Sequence, residues 1–342
     1  MPSAAGRGEV RGRLPPHLPP RPQRHTRDAG RGPHQGLPPQ LISRHTGSRA
    51  RRSRRWPVAR DELIVVTGAT GRQGGAVARH LLADGWRVRG VTRTATSPAA
   101  RELAGRGVEV VTGDMGDVEA LRRAFAGAYG VYSVQNPMIA SAEGEVAQGR
   151  NVATAATDAG VAHLVHGSAG PGTPGTGVAA WDDKLEVVAY ARSRGLSLTV
   201  LRPMAFMELM TDKDLYPAVA AWHLMPRIVG EDRPLPWLSA DDLGAIAAHV
   251  FGDPATYVGQ DLGLAADVRT LAQCRAEWRA VTGRNPRRLP MPVWLFERFV
   301  GQDLTRMWRW LATHDVEADV SLTRSLLPTA VTVEGFLRKR LT

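Results

Sequence analysis

Short apolar runs alternate with helix-like segments between residues 63 and 201. Runs rich in Val, Leu and Ile predict strands, and apolar residues spaced three or four apart between them predict helices. The predicted strands span 63–67, 87–92, 108–112, 130–134, 163–166 and 197–201, and the predicted helices span 74–83, 99–105, 118–126, 146–158 and 183–194. This alternation is typical of an α/β protein with a doubly wound parallel sheet, whose strand carboxyl ends form one ligand-binding edge.

The alternation fades beyond residue 203. Residues 203–237 are rich in Met, Trp and Pro, and helical spacing returns further along the chain. Ser239, with Asp242 three residues later, predicts the start of one helix, and a second helix is predicted over 271–282. The C-terminal part is therefore expected to be a small lobe rich in α-helix.

The positive charge of the chain is concentrated in its first 60 residues. Of the formal net charge of +11, this segment supplies +12 from fourteen Arg, no Lys and two acidic residues, so the remainder has a charge of −1. The segment is Pro-rich and has no amphipathic period, so we predict that residues 1–60 are disordered. It could be an arm that binds nucleic acid or anionic lipid, or a transit-like segment. We favour a third explanation, a start codon assigned too far upstream, because the predicted fold begins at Asp61.

Composition also restricts the location and the partners of the protein. Cys274 is the only cysteine, so no intrachain disulfide can form, and we expect a cytoplasmic protein. No apolar stretch of about 20 residues is present, so we expect no membrane partner. His163 has neither Cys nor carboxylate at ligand spacing. We therefore expect no metal site, and we interpret His163 and Cys274 as structural residues.

The stretch "VVTGATGRQGG", residues 65–75, contains Gly68, Gly71 and Gly74 after a predicted strand and before a predicted helix. In that context the first glycine permits a tight turn and the second lets backbone N–H groups approach a pyrophosphate. The third lets the helix pack closely against the sheet. Thr70 lies in the same turn and is expected to contact the dinucleotide. The alternative is a flexible surface turn without a ligand.

The end of the second strand indicates which dinucleotide binds. A free ribose 2′-hydroxyl is usually held by a carboxylate at this point, but the sequence has Arg93 and no acidic residue between positions 84 and 102. An arginine suits a 2′-phosphate, and Arg72 in the glycine turn could assist, so we predict NADP(H) rather than NAD(H). The alternative is that Arg93 only solvates the strand end. After the third strand, Asp114 and Met115 are expected to border the adenine.

The segments "VVTGATGRQGG", "VTR", "VTGDMGD" and "YVGQDLGL" together resemble the NmrA-like family of atypical short-chain dehydrogenases, and most of all its HSCARG-like branch of NADPH sensors. The resemblance runs from residue 63 to the C-terminus. It implies an NADP-preferring Rossmann domain, over residues 61–202, and a C-terminal lobe over 203–342. The lobe is expected to be interwoven with the Rossmann domain and to line a substrate or partner cleft. Some members of the family are sensors or co-regulators, and others are reductases of quinones or phenolic compounds.

Short-chain dehydrogenases place a tyrosine four residues before a lysine, which holds the nicotinamide ribose and lowers the tyrosine pKa. Lys184 is present in "AAWDDKLEVVAY", but Ala180 stands at the tyrosine position, so the usual proton donor is missing. Ser168 follows the fifth strand, where the superfamily often has a serine that orients substrate. Lys184 and Ser168 are therefore the candidate catalytic residues. The alternatives are a solvated lysine at a helix end and an ordinary turn serine.

Three functional classes follow from these residues. In the favoured class, the protein binds NADP(H) as a redox sensor or regulator with little turnover, and NADPH changes the order of residues 170–177, which have no fixed fold of their own. In the second, it is an NADPH-dependent reductase of a small apolar carbonyl or quinone, with Lys184 or a water as proton source. Binding of nucleic acid or an anionic surface depends on residues 1–60 alone. A protein partner, an apolar substrate beneath the Met- and Trp-rich segment 203–237, and a homodimer are left open.

Overall fold

The computed structural model describes residues 61–136, 142–212, 220–288, 290–300, 302–316 and 319–342. The predicted basic extension, residues 1–60, lies outside this part of the chain. Within the described residues, one sheet of seven strands and one of three are flanked by helices.

Strand and helix alternate along the first part of the described chain, as predicted. The strands are β1 (Leu63–Val66), β2 (Arg87–Thr92), β3 (Glu109–Thr112), β4 (Gly130–Ser133), β5 (His163–Gly167) and β6 (Leu198–Pro203). The helices are α1 (Arg72–Ala83), α2 (Pro98–Gly105), α3 (Val118–Phe125), α4 (Ala142–Asp158) and α5 (Ala179–Ser193). Every predicted element is present, and the largest differences are at α4 and α5, which begin four residues earlier than expected.

The larger sheet is parallel throughout. Its strand order is β3-β2-β1-β4-β5-β6-β9, where β9 is Asp261–Leu264. The doubly wound parallel sheet is thereby confirmed, and the strand order reverses between β1 and β4, where such folds bind ligands at the carboxyl ends of the strands. The last strand comes from the 203–342 segment, while the division of the chain at residue 202 stays a prediction.

Apolar residues cover both faces of this sheet. One face, with Ile64 and Tyr132, packs on α1 and on α7 (Ala240–Gly252). The opposite face, with Val65 and Val131, packs on α3, α4 and α5. Neighbouring residues of one strand point to opposite faces of the sheet, so each apolar run supplies both cores.

The C-terminal region is mainly helical, as predicted. A small sheet in the order β10-β8-β7 is formed by β7 (Ala205–Phe206), β8 (Pro234–Leu238) and β10 (Asp267–Thr270). The remaining α-helices are α6 (Met225–Val229), α8 (Pro254–Tyr257), α9 (Leu271–Thr282), α10 (Val293–Val300), α11 (Asp303–Thr313), α12 (Val320–Leu326) and α13 (Val333–Leu341), and two short helices of other types span Met207–Met210 (3-10) and Ala220–Leu224 (π). The predicted start of α7 is confirmed, since Ser239 Oγ accepts a hydrogen bond from Asp242 N over 3.0 Å. Across the described ranges, no helix is long and apolar enough to cross a membrane.

Candidate functional site

The glycine turn joins β1 to α1 and closes on itself. Gly71 N donates to the Gly68 carbonyl over 2.9 Å, and Gly68 has a φ of 59°, a conformation that favours glycine. A Cβ on Gly74 would lie 2.3 Å from the Gly68 carbonyl oxygen, so only glycine lets α1 approach the turn this closely. Thr70, in the same turn, is exposed. Helix α1 begins without a side-chain cap or an acidic residue in its first turn, so its first N–H groups are available to an anion.

The two arginines predicted to hold a 2′-phosphate differ in their partners. Arg93 is exposed just beyond β2 and takes part in no ion pair within the described part of the chain. Arg72 Nε donates to Asp212 Oδ2 over 2.7 Å, and Arg340 of α13 donates to the other oxygen of Asp212 over 3.1 Å. Burial raises the pKa of Asp212, but the hydrogen bonds from both arginines and from Thr211 outweigh it, and the pKa is lowered. Arg93 is thus free to meet a phosphate, whereas Arg72 would first have to leave Asp212.

The turn between β3 and α3, predicted to border the adenine, is held by its own side chains and by α4. Asp114 Oδ1 accepts from Gly116 N over 2.7 Å, so one oxygen already stabilises the turn. Met115 is half-buried, and its carbonyl accepts from Asn151 Nδ2 over 3.0 Å. The second oxygen of Asp114 has no hydrogen bond to the described residues and is available to an adenine amino group.

Lys184 is buried, with 7% of its surface exposed, and its Nζ forms an ion pair with Oε1 of Glu145. Glu145 lies near the start of α4 and is fully buried, at 0% exposure. An isolated charge is costly to bury, so each member of the pair compensates the charge of the other. Burial raises the pKa of Glu145, and the positive charge of Lys184 opposes this rise. The alternative interpretation of Lys184 as a solvated lysine at a helix end is therefore wrong.

β5 brings two further polar residues, His166 and Ser168, to the carboxyl edge of the sheet, and both are buried. Burial, together with the positive charge of Lys184, lowers the pKa of His166 to about 3, so its imidazole is neutral at neutral pH. Both residues have a buried polar atom without a hydrogen-bond partner among the described residues, His166 Nε2 and Ser168 Oγ, as do Gln135 after β4 (Oε1) and Glu145 (Oε2). Because buried polar groups are normally hydrogen-bonded, these atoms indicate a place for a ligand or water.

The segment 170–177 contains no helix or strand, and side chains hold it at both ends; the expected change in its order on NADPH binding stays a prediction. The Gly170 carbonyl accepts from Arg202 Nη1 over 3.0 Å. At the other end, Asp182 accepts from Thr176 N over 3.2 Å and from Gly177 N over 3.0 Å. These contacts fasten the segment to β6 and to the first turn of α5, the helix whose second turn contains Lys184.

Most of the described Met and Trp residues in the segment after β6 belong to the hydrophobic core. The Met and Trp residues of this segment with at most 4% exposure are Met207, Met210, Trp222, Met225 and Trp237. Met204 and Phe206 are only partly buried. The described aromatic residues with the largest exposure lie elsewhere, on α10, where Trp294 is 68% and Phe299 78% exposed.

His163 and Cys274 are both fully buried, in agreement with the structural roles assigned from the sequence. His163 Nε2 lies 2.8 Å from Thr199 Oγ1, and its ring meets Phe251 edge-on. Burial raises the pKa of the Cys274 thiol far above its usual range, so it stays protonated. No group of three or more His, Cys, Asp or Glu side chains in the described ranges is arranged to hold a metal ion.

Residues 60–337 match the NmrA-like family. This chain belongs to the NmrA-like family. It is 34% identical over 258 residues to the NmrA-like family domain-containing oxidoreductase lnaB of Aspergillus flavus, in a match that covers 68% of this chain and 77% of lnaB. It is 32% identical over 259 residues to the corresponding oxidoreductase FrzB of Cladobotryum sp, again covering 68% of this chain and 77% of the relative. The family predicted from the glycine turn and the later motifs is confirmed, while the HSCARG-like branch stays a prediction.

Solved structures share the fold of this NmrA-like chain. NmrA, a negative transcriptional regulator, in complex with NADP superimposes with a TM-score of 0.65 at 22% identity, over 82% of this chain and 95% of NmrA. NmrA in complex with NAD gives a TM-score of 0.66 at 22% identity, over 82% of this chain and 95% of NmrA. The NADPH-dependent quinone oxidoreductase QOR2 from Escherichia coli, complexed with NADPH, gives 0.62 at 22% identity, over 82% of this chain and 100% of QOR2.

Sequence reasoning missed Glu145, although a signal for it is present. Glu145 precedes Gly149, Val152 and Ala156 at spacings of four, three and four, and all four residues are buried on α4. An acidic residue within the buried stripe of a helix needs a partner, and this one could have been flagged on that ground. The identity of the partner, Lys184, depends on the packing of α4 against α5 and has no local signal.

Proposed function

We propose that this NmrA-like protein binds NADP(H) at the carboxyl edge of β1 and β4 and reduces a small apolar carbonyl or quinone substrate. The residues proposed to surround the phosphates and the adenine are Gly68, Thr70, Gly71, Arg72, Gly74, Arg93, Asp114 and Met115. The glycine turn, the uncapped start of α1 and the unpaired Arg93 fit an anionic dinucleotide. The NADP- and NADPH-complexed structural neighbours agree with this cofactor.

The observation that favours chemistry over binding alone is the buried Lys184, paired with Glu145 and close to His166. NADPH, when bound, supplies the hydride that the substrate carbon receives. Lys184 would hold a proton at Nζ and donate it to the substrate oxygen, so that a carbonyl becomes an alcohol. Ser168 Oγ, buried and without a partner among the described residues, is the proposed hydrogen-bonding group for that oxygen. The relatives named as oxidoreductases support this assignment.

Steady oxidation of NADPH by the full chain, with a panel of quinones and carbonyl compounds, tests the proposal. Lys184→Met keeps most of the side-chain volume and should lower turnover by about 10²–10⁴-fold, the usual contribution of a general acid. NADPH affinity should change far less, because the phosphates make most of the proposed contacts. Lys339→Met, at a largely exposed position of α13, is the matched control and should have no effect. Turnover that survives Lys184→Met would contradict the assignment of Lys184.

A redox sensor or regulator with little turnover is the second candidate. Ala180 occupies the position of the usual catalytic tyrosine, and the structural neighbour NmrA is a negative transcriptional regulator. Tight NADPH binding without oxidation by any substrate of the panel would favour this candidate. Altered protease cleavage within residues 170–177 on addition of NADPH would support it further, because binding can shift that segment only if the two states differ in affinity.

A further inference from the structure

Glu145 is a carboxylate at a position where a buried helix face normally has an apolar side chain. None of its surface is exposed; Oε1 contacts Lys184, and Oε2 has no partner among the described residues. A buried ion pair is often no more stabilising than apolar side chains of the same size. Stability alone therefore does not account for a glutamate at this point of α4.

We infer that Glu145 is the positioning residue of Lys184: its carboxylate fixes the ammonium group at the carboxyl edge of the sheet and maintains its positive charge for proton donation. This inference rests on the proposed reductase function. Glu145 keeps its charge throughout, while the proton that leaves Lys184 Nζ goes to the substrate oxygen and is replaced from solvent.

The contact between α4 and α5 fixes the two side chains relative to each other. A Cβ on Gly149 would lie 2.4 Å from Val187 Cγ2, so the two helices touch at this point. Glu145 lies one turn before Gly149 on α4, and Lys184 lies one turn before Val187 on α5. The ion pair is therefore built on two packed helices, which position side chains more accurately than loops do.

The other ionisable groups near Lys184 do not substitute for Glu145. His166 faces it from β5, but with a pKa lowered to about 3 the imidazole is uncharged at neutral pH. On α5 itself, Asp183 is partly exposed, and its pKa is raised by burial first and then by the neighbouring acids Glu186, Asp182 and, from α11, Asp303. Glu145 is the carboxylate that forms an ion pair with Lys184 within the described ranges.

Lysine NMR tests the inference directly, because the chain has three lysines, Lys184, Lys213 and Lys339. Selective ¹³C labelling at Cε gives one side-chain signal for each, and Lys184→Met assigns the first. In Glu145→Gln, Lys184 should lose its proton at lower pH than in the parent chain, because the opposite charge that favours the ammonium form is gone. Glu186→Gln, which removes a half-exposed carboxylate of α5 paired with Arg150, is the control and should leave the titration in place.

The pH dependence of NADPH oxidation is the second readout. The proposed acid must be protonated, so the rate falls as pH rises through the titration of Lys184, and in Glu145→Gln this fall should move to lower pH by the same amount. Glu145→Asp keeps the negative charge, but the side chain is one methylene shorter, so the carboxylate lies further from Lys184 Nζ. In that variant Lys184 should titrate between the parent and Glu145→Gln, and the rate should fall about ten- to a hundred-fold because the ammonium is misplaced.

The outcomes separate this inference from the proposed function. If the parent chain oxidises no NADPH but Glu145→Gln lowers the titration of Lys184, the reductase proposal fails and Glu145 is still the counter-ion. If oxidation depends on Lys184 and neither Glu145 variant moves the lysine signal or the pH profile, the inference is wrong. Should Glu145→Gln fail to fold, Glu145→Asp decides, and an unchanged titration with an unchanged rate overturns the inference.

Discussion

Two arginines are predicted to bind the 2′-phosphate, but only one of them already forms an ion pair with another described residue. Arg93 is exposed and has no ion-pair partner in the described part of the chain, so a phosphate replaces only water. Arg72 is bound to Asp212, which Arg340 also contacts, so its transfer to a phosphate leaves that carboxylate with a single arginine. Arg93 is therefore the residue expected to distinguish NADP(H) from NAD(H).

Arg93→Asp should weaken NADPH binding by about 30- to 150-fold, which corresponds to the ~2–3 kcal/mol of a charge-assisted contact. NADH, which lacks the 2′-phosphate, should lose far less affinity. Calorimetric titration with both cofactors measures the difference, and Arg101→Asp makes the same charge change at another exposed position, on α2. Equal affinities of the parent chain for NADPH and NADH would contradict the assigned preference.

His163 is expected to make the fold sensitive to acid. Burial lowers the pKa of His163 from 6.5 to about 4. Between these two pH values the imidazole is protonated in the unfolded chain but neutral in the folded chain. The contribution of His163 to the free energy of unfolding is therefore fully present above pH 6.5. As the pH falls toward 4, the free energy of unfolding decreases by about 1.4 kcal/mol per pH unit for one proton. Denaturant unfolding between pH 7 and 5 should show a smaller pH dependence in His163→Gln than in the parent chain. As a control, His249→Gln at an exposed position should show the same change in unfolding free energy with pH as the parent chain. If His163→Gln also shows the parent's pH dependence, His163 is not its source.

The site residues that could be predicted from the sequence are those with local signals. The three glycines and Arg93 stand at fixed distances from a strand end, and Lys184 belongs to a helix motif. Glu145 and Lys184 are 39 positions apart, and their pairing arises only when α4 packs on α5. The burial of Lys184 could not be predicted either, because Asp182 and Asp183 beside it suggest a solvated helix end.

At the scale of elements, the contact between α4 and α5 depends on a glycine. Gly149→Ala should lower the free energy of unfolding by about 1–3 kcal/mol, because the new methyl group must displace Val187 or separate the helices. Gly105→Ala in α2 is the control: a Cβ there meets no atom within 4 Å, so the change should be neutral or stabilise by up to about 1 kcal/mol.

Denaturant unfolding measures the effect of each glycine substitution on the free energy of unfolding. A double-mutant cycle that combines Gly149→Ala with Val187→Ala measures the coupling between these two positions. Removing the Val187 methyl groups makes room for the new Cβ, so the double variant should recover part of the loss caused by Gly149→Ala. A cost of Gly149→Ala no greater than that of Gly105→Ala, or purely additive effects, would show that the helices do not touch at this point.

The alternation that predicted β1 to β6 fails for the elements beyond residue 203. β9 is only four residues long, "DLGL", and has no clear period. β8, "PLPWL", contains two prolines, which normally argue against a strand inside a sheet. Its place is nevertheless the middle of the small sheet, because β7 pairs only with Trp237 and Leu238, beyond both prolines. Tertiary pairing thus explains a strand that local patterns argue against.

At the scale of the whole molecule, the basic charge and the proposed site belong to different parts of the chain. Residues 1–60 supply +12, whereas the rest has a charge of −1. Every residue of the proposed NADP(H) site, and the pair of Lys184 and Glu145, lies between positions 61 and 342. Binding of polyanions and binding of NADPH should therefore be separable properties.

A chain that lacks residues 1–60 should bind NADPH with the dissociation constant of the full chain and unfold at the same Tm, because no residue of the proposed site is removed. NADPH at about 100 times its dissociation constant should stabilise both chains by about 2.7 kcal/mol. On immobilised heparin the full chain should elute at higher salt, because each arginine contact with a polyanion releases counter-ions. Equal elution of the two chains would exclude the first 60 residues as the source of polyanion affinity. A shortened chain that folds but no longer binds NADPH would place part of the cofactor site within those residues.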